Sequence, residues 1–191
     1  MGIYGIPQEA RGPISSQVEA QMSLVRGVLE AHASGASYAD LTRLRTRAER
    51  FLGQEQLSGA YAEIACFLAI ARDYNARMST EEEDRGGVDI WVDTEEKDSS
   101  GASVLWAIQV KSNVNTRSVS VKKLAEDSPE GLRMLRTAAK SPNLPERRVV
   151  IPVWVEVPGG EKAEMYNMMT GKPTEELSRQ LGSKLVEVLW E

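Results

Sequence analysis

The stretch from Ser103 to Ser112 constrains the fold more than any other part of the chain. It reads Ser-Val-Leu-Trp-Ala-Ile-Gln-Val-Lys-Ser, an apolar run rich in β-formers that belongs inside a sheet. Two polar side chains, Gln109 and Lys111, interrupt it near its end. They stand two residues apart, so they share one face of a strand. Val88 to Val92 reads as a partner strand, with Val88, Ile90 and Val92 expected on one face and Asp89 and Trp91 on the other. The polar segment from Thr94 to Ala102 fits the loop of an antiparallel hairpin. Asp89 is then expected on the same side as Gln109 and Lys111. A buried charge without compensation is costly, so these groups must satisfy one another or hold a metal.

Helical periodicity precedes this hairpin. Apolar residues recur from Ser15 to Ala33, ending at Gly35. Ser37 and Asp40 have capping-box spacing ahead of a second amphipathic helix through Leu52. A third helix is expected from Leu57 to Asp73, with Glu63 in its apolar middle. Residues 1–14 carry glycine and proline and read as a loose arm. Tyr74 to Ser79 suggests a short strand, and Thr80 to Gly87 an acidic turn in which Glu81, Glu82, Glu83 and Asp84 are solvated. After the hairpin, Val119 to Lys140 is expected to be helical, broken near Ser128-Pro129, where Pro129 suits a first helical position. Val149 to Val157 is a strand that Pro152 assigns to a sheet edge or a bulge. A turn at Gly159-Gly160, a strand from Ala163 to Met169 and a final helix from Pro173 to Leu189, interrupted at Gly182, complete the expectation.

Scarcity narrows the chemistry. One cysteine, Cys66, excludes an internal disulfide and a multi-cysteine zinc site, and its apolar helical setting makes it a core residue. One histidine, His32, excludes histidine metal clusters and argues against histidine-centred nuclease and Ser-His-Asp sites. It is expected at a helix C-terminus. Catalysis, if present, must rest on carboxylates, amides, lysines or hydroxyls. No apolar run is long enough to span a bilayer and no signal-peptide pattern opens the chain, so a cytoplasmic location is the expectation.

The net charge of −5 is unevenly distributed. Nine acids lie between Met78 and Asp98, whereas nine bases lie between Lys111 and Arg148 against four acids. Local basic surface, not the total, decides phosphate binding. Asp89 offers an anionic oxygen, Gln109 a neutral carbonyl oxygen, and the Val110 backbone carbonyl a third ligand. Such oxygen sets select Mg²⁺ or Mn²⁺. Lys111 is placed to orient or deprotonate a water or to stabilise transition-state charge, and Glu63 to complete the site. Ser112, Asn113, Asn115, Arg117, Lys122 and Lys123 follow as candidate contacts to a nucleic-acid backbone.

Glu63, then Gly87-Val88-Asp89-Ile90-Trp91-Val92, then Gln109-Val110-Lys111-Ser112 resembles the PD-(D/E)xK nuclease superfamily over residues 57–157. The resemblance implies an α/β fold with a restriction-endonuclease-like αβββαβ core. Its mixed central sheet is flanked by helices, and here it would carry an N-terminal helical extension. It implies catalytic roles for Glu63, Asp89, Gln109 and Lys111, with metal held by Asp89, Gln109, Val110 and Glu63. Two departures stand out: Val88 replaces the usual proline, and Gln109 replaces the usual acid, removing one negative charge from the metal site. The expected division is residues 1–55 as arm and accessory helices and 56–191 as nuclease-like domain. The expected activity is Mg²⁺- or Mn²⁺-dependent hydrolysis of phosphodiester bonds in DNA, in preference to RNA, by an endonuclease acting as a homodimer. The alternatives are a catalytically weak or inactive nucleic-acid-binding or assembly module on the same fold, a ribonuclease of toxin type, and a small α/β structural protein in which Asp89 and Lys111 merely form an ion pair.

Overall fold

The computed structural model describes residues 14–159 and 164–189. Three helices come first: α1 (Ile14–Ala33), α2 (Tyr38–Ala48) and α3 (Gln54–Ile70). Then come β1 (Asn75–Met78), α4 (Glu81–Arg85), β2 (Ile90–Lys97), β3 (Ser103–Asn113) and β4 (Ser120–Lys123). The chain continues through α5 (Pro129–Lys140), β5 (Arg148–Pro158) and α6 (Glu175–Leu189). The strands form one five-stranded sheet in the order β1-β2-β3-β5-β4. It is mixed: β3 and β5 run parallel, and every other neighbouring pair is antiparallel.

Helices cover both faces of this sheet. On one face, Ile90, Val92, Trp106, Ile108, Val110, Val153, Val155 and Val157 join a core with residues of α1, α2, α3 and α6. On the other, Val88, Trp91 and Ala107 pack against Met134 and Ala138 of α5. The expected division at residue 55 falls in the first turn of α3, and apolar side chains from both sides of it enter the same core. Leu24, Val25 and Val28 of α1 are fully buried there, each worth roughly 1.5–3 kcal/mol. Two longer-range bonds add to this packing: His32 Nε2 donates to the Thr170 carbonyl at 2.6 Å, and Arg45 donates to the Met168 carbonyl. Cys66 is a buried core residue.

Local chemistry explains the boundaries. Ser37 caps α2 with the expected capping box to Asp40. Ser128 caps α5, with Pro129 opening the helix. The acidic segment after Thr80 is a short capped helix and not a solvated turn: Thr80 and Glu83 form a capping box, and Glu83 is buried. Residues 119–127 are not helical. Val119 and Val121 turn inward, the exposed Ser120 and Lys122 alternate with them, and the exposed Lys123 ends β4. A β-branched alternation of period two overrides the helix propensity of the lysines. Pro152 lies not in an edge strand but in β5, between β3 and β4. Its carbonyl accepts from Leu124 N at 2.9 Å, one residue beyond β4. The side that lacks an N–H therefore points to where strand pairing has already ended. Val88 packs with Trp91 beneath α5, not with Ile90 and Val92 as expected, because the chain enters β2 from a turn and not from regular strand.

The hairpin is longer than expected, with β2 extending through an irregularity to Lys97. The described part of the expected strand from Ala163 shows an isolated bridge between Tyr166 and Pro173. α6 passes Gly182 without a break. The arm up to residue 13 and the turn at Gly160, with residues to 163, lie outside the described residues. Among the described residues, no helix is long and apolar enough to cross a membrane.

Candidate active site

β3 is longer than its partner at one end. The β2–β3 register begins at Ile90 opposite Ile108, while β3 continues to Asn113. Asp89 bridges this transition. Its backbone N donates to the Ile108 carbonyl at 2.8 Å, and its Oδ2 accepts from Val110 N at 2.6 Å. The side chain thus occupies the place that a further β2 residue would have taken. It is the Val110 N–H, which the sequence did not single out, that meets Asp89. This bond fixes the carboxylate at the mouth of a small cavity.

The cavity has a volume of about 10 Å³, and Glu63, Asp84, Asp89, Ser79, Met78, Met22, Val25 and Arg26 line it. That is about the size of one water. Glu63 projects from the middle of α3, and Gln21 of α1 donates to its Oε1 at 2.6 Å. Asp84 comes from α4 and hydrogen-bonds Asp89. Ser79 Oγ is buried with no hydrogen-bond partner among the described residues. Burial raises the pKa of all three carboxyls, and their mutual repulsion adds to it for Glu63 and Asp89. Asp89 is pushed up to about 8. Lys111 opposes the shift at each of the three, which places its ammonium within electrostatic reach of the whole cluster. Lys111 itself is exposed, with Nζ 6.0 Å from the centre of the Trp154 ring.

Gln109 has a different partner. It is buried, and its Oε1 accepts from Arg133 Nη2 of α5 at 3.3 Å. The Arg133 guanidinium lies over the turn before Asp89. A Cβ on Gly87, whose φ is +84°, would meet it at 2.5 Å. A Cβ on Gly86 would collide with Thr137. The two glycines therefore permit the close approach of α5 to this turn.

The structure thus brings Glu63, Asp89 and Lys111 around one cluster and adds Asp84, Gln21 and Arg26. Asp84 was hidden among four consecutive acids; its only local signal was its position before two glycines. Nothing in sequence could pair Gln21 with Glu63. The other candidate contacts divide. Ser112 Oγ is bonded to Ser58 Oγ at 2.7 Å on the α3 side. Asn113 donates to Glu156 at 2.7 Å and accepts from Asn115 N. Asn115, Arg117, Lys122 and Lys123 are exposed, and Lys122 Nζ lies 5.3 Å from the centre of the Trp154 ring. Glu83 is not part of the cluster: burial pushes its carboxyl up, but bonds from Arg77, Ser141 and Thr80 hold it down at about 2.

Among the described residues, no group of three or more histidine, cysteine, aspartate or glutamate side chains stands ready to hold a metal ion. No protein-family model, curated protein or solved structure matches the chain.

Proposed function

We propose that this chain is a metal-dependent DNA nuclease of the PD-(D/E)xK type. The observation that carries the proposal is the convergence of Glu63, Asp89 and Lys111, from α3, the start of β2 and β3, on one buried acidic cluster. With the short helix α4 and the edge strand β4 set aside as insertions, the order α3-β1-β2-β3-α5-β5, with β5 parallel to β3, supports the αβββαβ core that the resemblance implies.

The residues present suit a hard divalent cation. Mg²⁺ keeps several waters and is commonly held by one or two carboxylates, so it needs no closed cage. Asp89 and Glu63 would supply anionic oxygens on giving up their protons to the cation, and Ser79 Oγ is a buried oxygen with no partner among the described residues on the same cavity wall. Asp84 adds a carboxylate that the resemblance did not assign. A bound Mg²⁺ or Mn²⁺ supplies polarisation of a phosphate oxygen and acidification of water. The protein's own groups do the rest. Val110 N–H orients Asp89, and Gln21 orients Glu63. Lys111 holds positive charge beside the position where the attacked phosphate becomes more negative. Its exposure leaves it open to a substrate arriving from solvent.

A second reading, a binding module without cleavage, draws on one observation. The Gln109 oxygen, a ligand expected from sequence, is engaged by Arg133. One experiment separates the two. Supercoiled plasmid is incubated with the purified chain in Mn²⁺, alongside Asp89→Asn and Lys111→Ala. Nicking by the parent chain that is lost in both variants, with unchanged circular dichroism, supports the nuclease. Equal nicking in all three sinks it.

A further inference from the structure

α5 places Arg133, Arg136 and Lys140 at spacings of three and four, so the three form one stripe along the helix. All are exposed, and all line a cavity of about 420 Å³ between α5 and α4. Among the described residues, Arg136 and Lys140 have no hydrogen-bond or ion-pair partner. As like charges four residues apart, they oppose helix formation. The acids of the cavity do not neutralise them: Glu83 is bonded to Arg77 and Ser141, and Glu82 stands exposed at the rim.

This stripe continues a second set of cations on the same face of the sheet. Lys111 and Lys122 both lie over the Trp154 ring. Trp154 is paired across the parallel ladder with Gln109. Gln109 accepts from Arg133, the first residue of the stripe. A basic track therefore runs from β4, past Lys111, to the end of α5. Arg136 and Lys140 are about 6 Å apart along the helix axis, and one DNA strand carries a phosphate for every ~3.4 Å of duplex axis, so neighbouring cations of the stripe meet a dense row of anions.

We propose that the α5 stripe binds the phosphodiester backbone of a DNA strand and continues its path away from Lys111. The inference rests on the nuclease reading for its direction, because it takes Lys111 as the point where the strand is cut. Charge complementarity selects the occupant. Two unneutralised cations beside an engaged arginine suit a regularly spaced polyanion better than a small neutral ligand.

The test is fluorescence anisotropy of the full chain with a labelled DNA duplex in metal-free buffer. The variants are Arg136→Gln/Lys140→Gln, Arg136→Lys/Lys140→Arg and Asp89→Asn. Both α5 positions are exposed, so the fold is expected to survive, and thermal unfolding checks it. The neutral double variant should bind about tenfold more weakly, and its slope of log affinity against log salt should fall by about 0.9 per lost contact. The charge-conserving variant should bind as the parent does, and Asp89→Asn should retain binding. Parental affinity and slope in the neutral variant overturn the inference, as does a parent chain that binds no DNA. Weakened binding in the neutral variant with no plasmid cleavage by the parent leaves the stripe standing and removes the nuclease. Cleavage by the parent with unaltered binding in the neutral variant does the reverse.

Discussion

Gln21 Nε2 donates to Glu63 Oε1 at 2.6 Å, tying the first helix of the chain to the acid in the middle of the third. Glu63 is buried and lies beside two further carboxyls, so this donor is one of the few groups that favour its ionised form. Gln21→Ala should lower stability by about 1–2 kcal/mol at neutral pH, because a buried acceptor loses its partner. Urea denaturation measures the loss. An unchanged midpoint would show that water replaces the amide.

The raised carboxyls reverse the usual acid response. An acid whose folded pKa lies above its unfolded value binds more protons when folded, so stability falls as pH rises between the two values. For Asp89 the window runs from the ordinary carboxylate range to about 8. The metal-free chain should therefore gain stability as pH drops from 8 towards 5, by up to about 1.4 kcal/mol per pH unit for each proton bound. Asp89→Asn should flatten that slope. Chemical denaturation across this range is the check, and a stability maximum at the alkaline end would contradict it. The same protons compete with a cation, so Mn²⁺ affinity should rise with pH in calorimetry.

Gln109→Glu should put an anionic oxygen at the position expected from sequence to hold the metal, while keeping the bond to Arg133. On the nuclease reading, Mn²⁺ should bind at least about tenfold more tightly, because charge count tunes affinity at oxygen sites. Titration calorimetry of the two chains reads this directly. Equal affinity would place the Gln109 side chain outside the metal's surroundings.

Gly87→Ala should be destabilising by about 2 kcal/mol, from a positive φ and from contact with the Arg133 guanidinium. Equilibrium unfolding gives the value. A neutral effect would mean that Arg133 moves aside without cost.

Much of this architecture is visible in local pattern. The helices α1 to α3, the Ser37 cap and the β2–β3 hairpin follow from periodicity and turn chemistry, and Glu63, Asp89 and Lys111 stood out as polar groups in apolar company. What escaped was set by distant neighbours. Asp84 looked solvated because four acids in a row usually are, and only its place in the cavity beside Arg26, Glu63 and Asp89 half-buries it. β4 carried lysines that suit a helix, and its strand state depends on pairing with β5. Pro152 signalled an edge because a single sequence does not reveal where a neighbouring strand stops. Arg133 was one base among many until α5 was laid across Gly87.

The bonds from His32 to Thr170 and from Arg45 to Met168 join regions far apart in sequence. During synthesis, the N-terminal helices emerge well before the carbonyls and the α6 leucines that complete their core. Until then, part of their apolar surface has no cover. Such long-range closure slows folding and leaves the nascent chain prone to self-association. The apolar faces of α1 to α3 therefore gain their full cover only once α6 is available to pack on them.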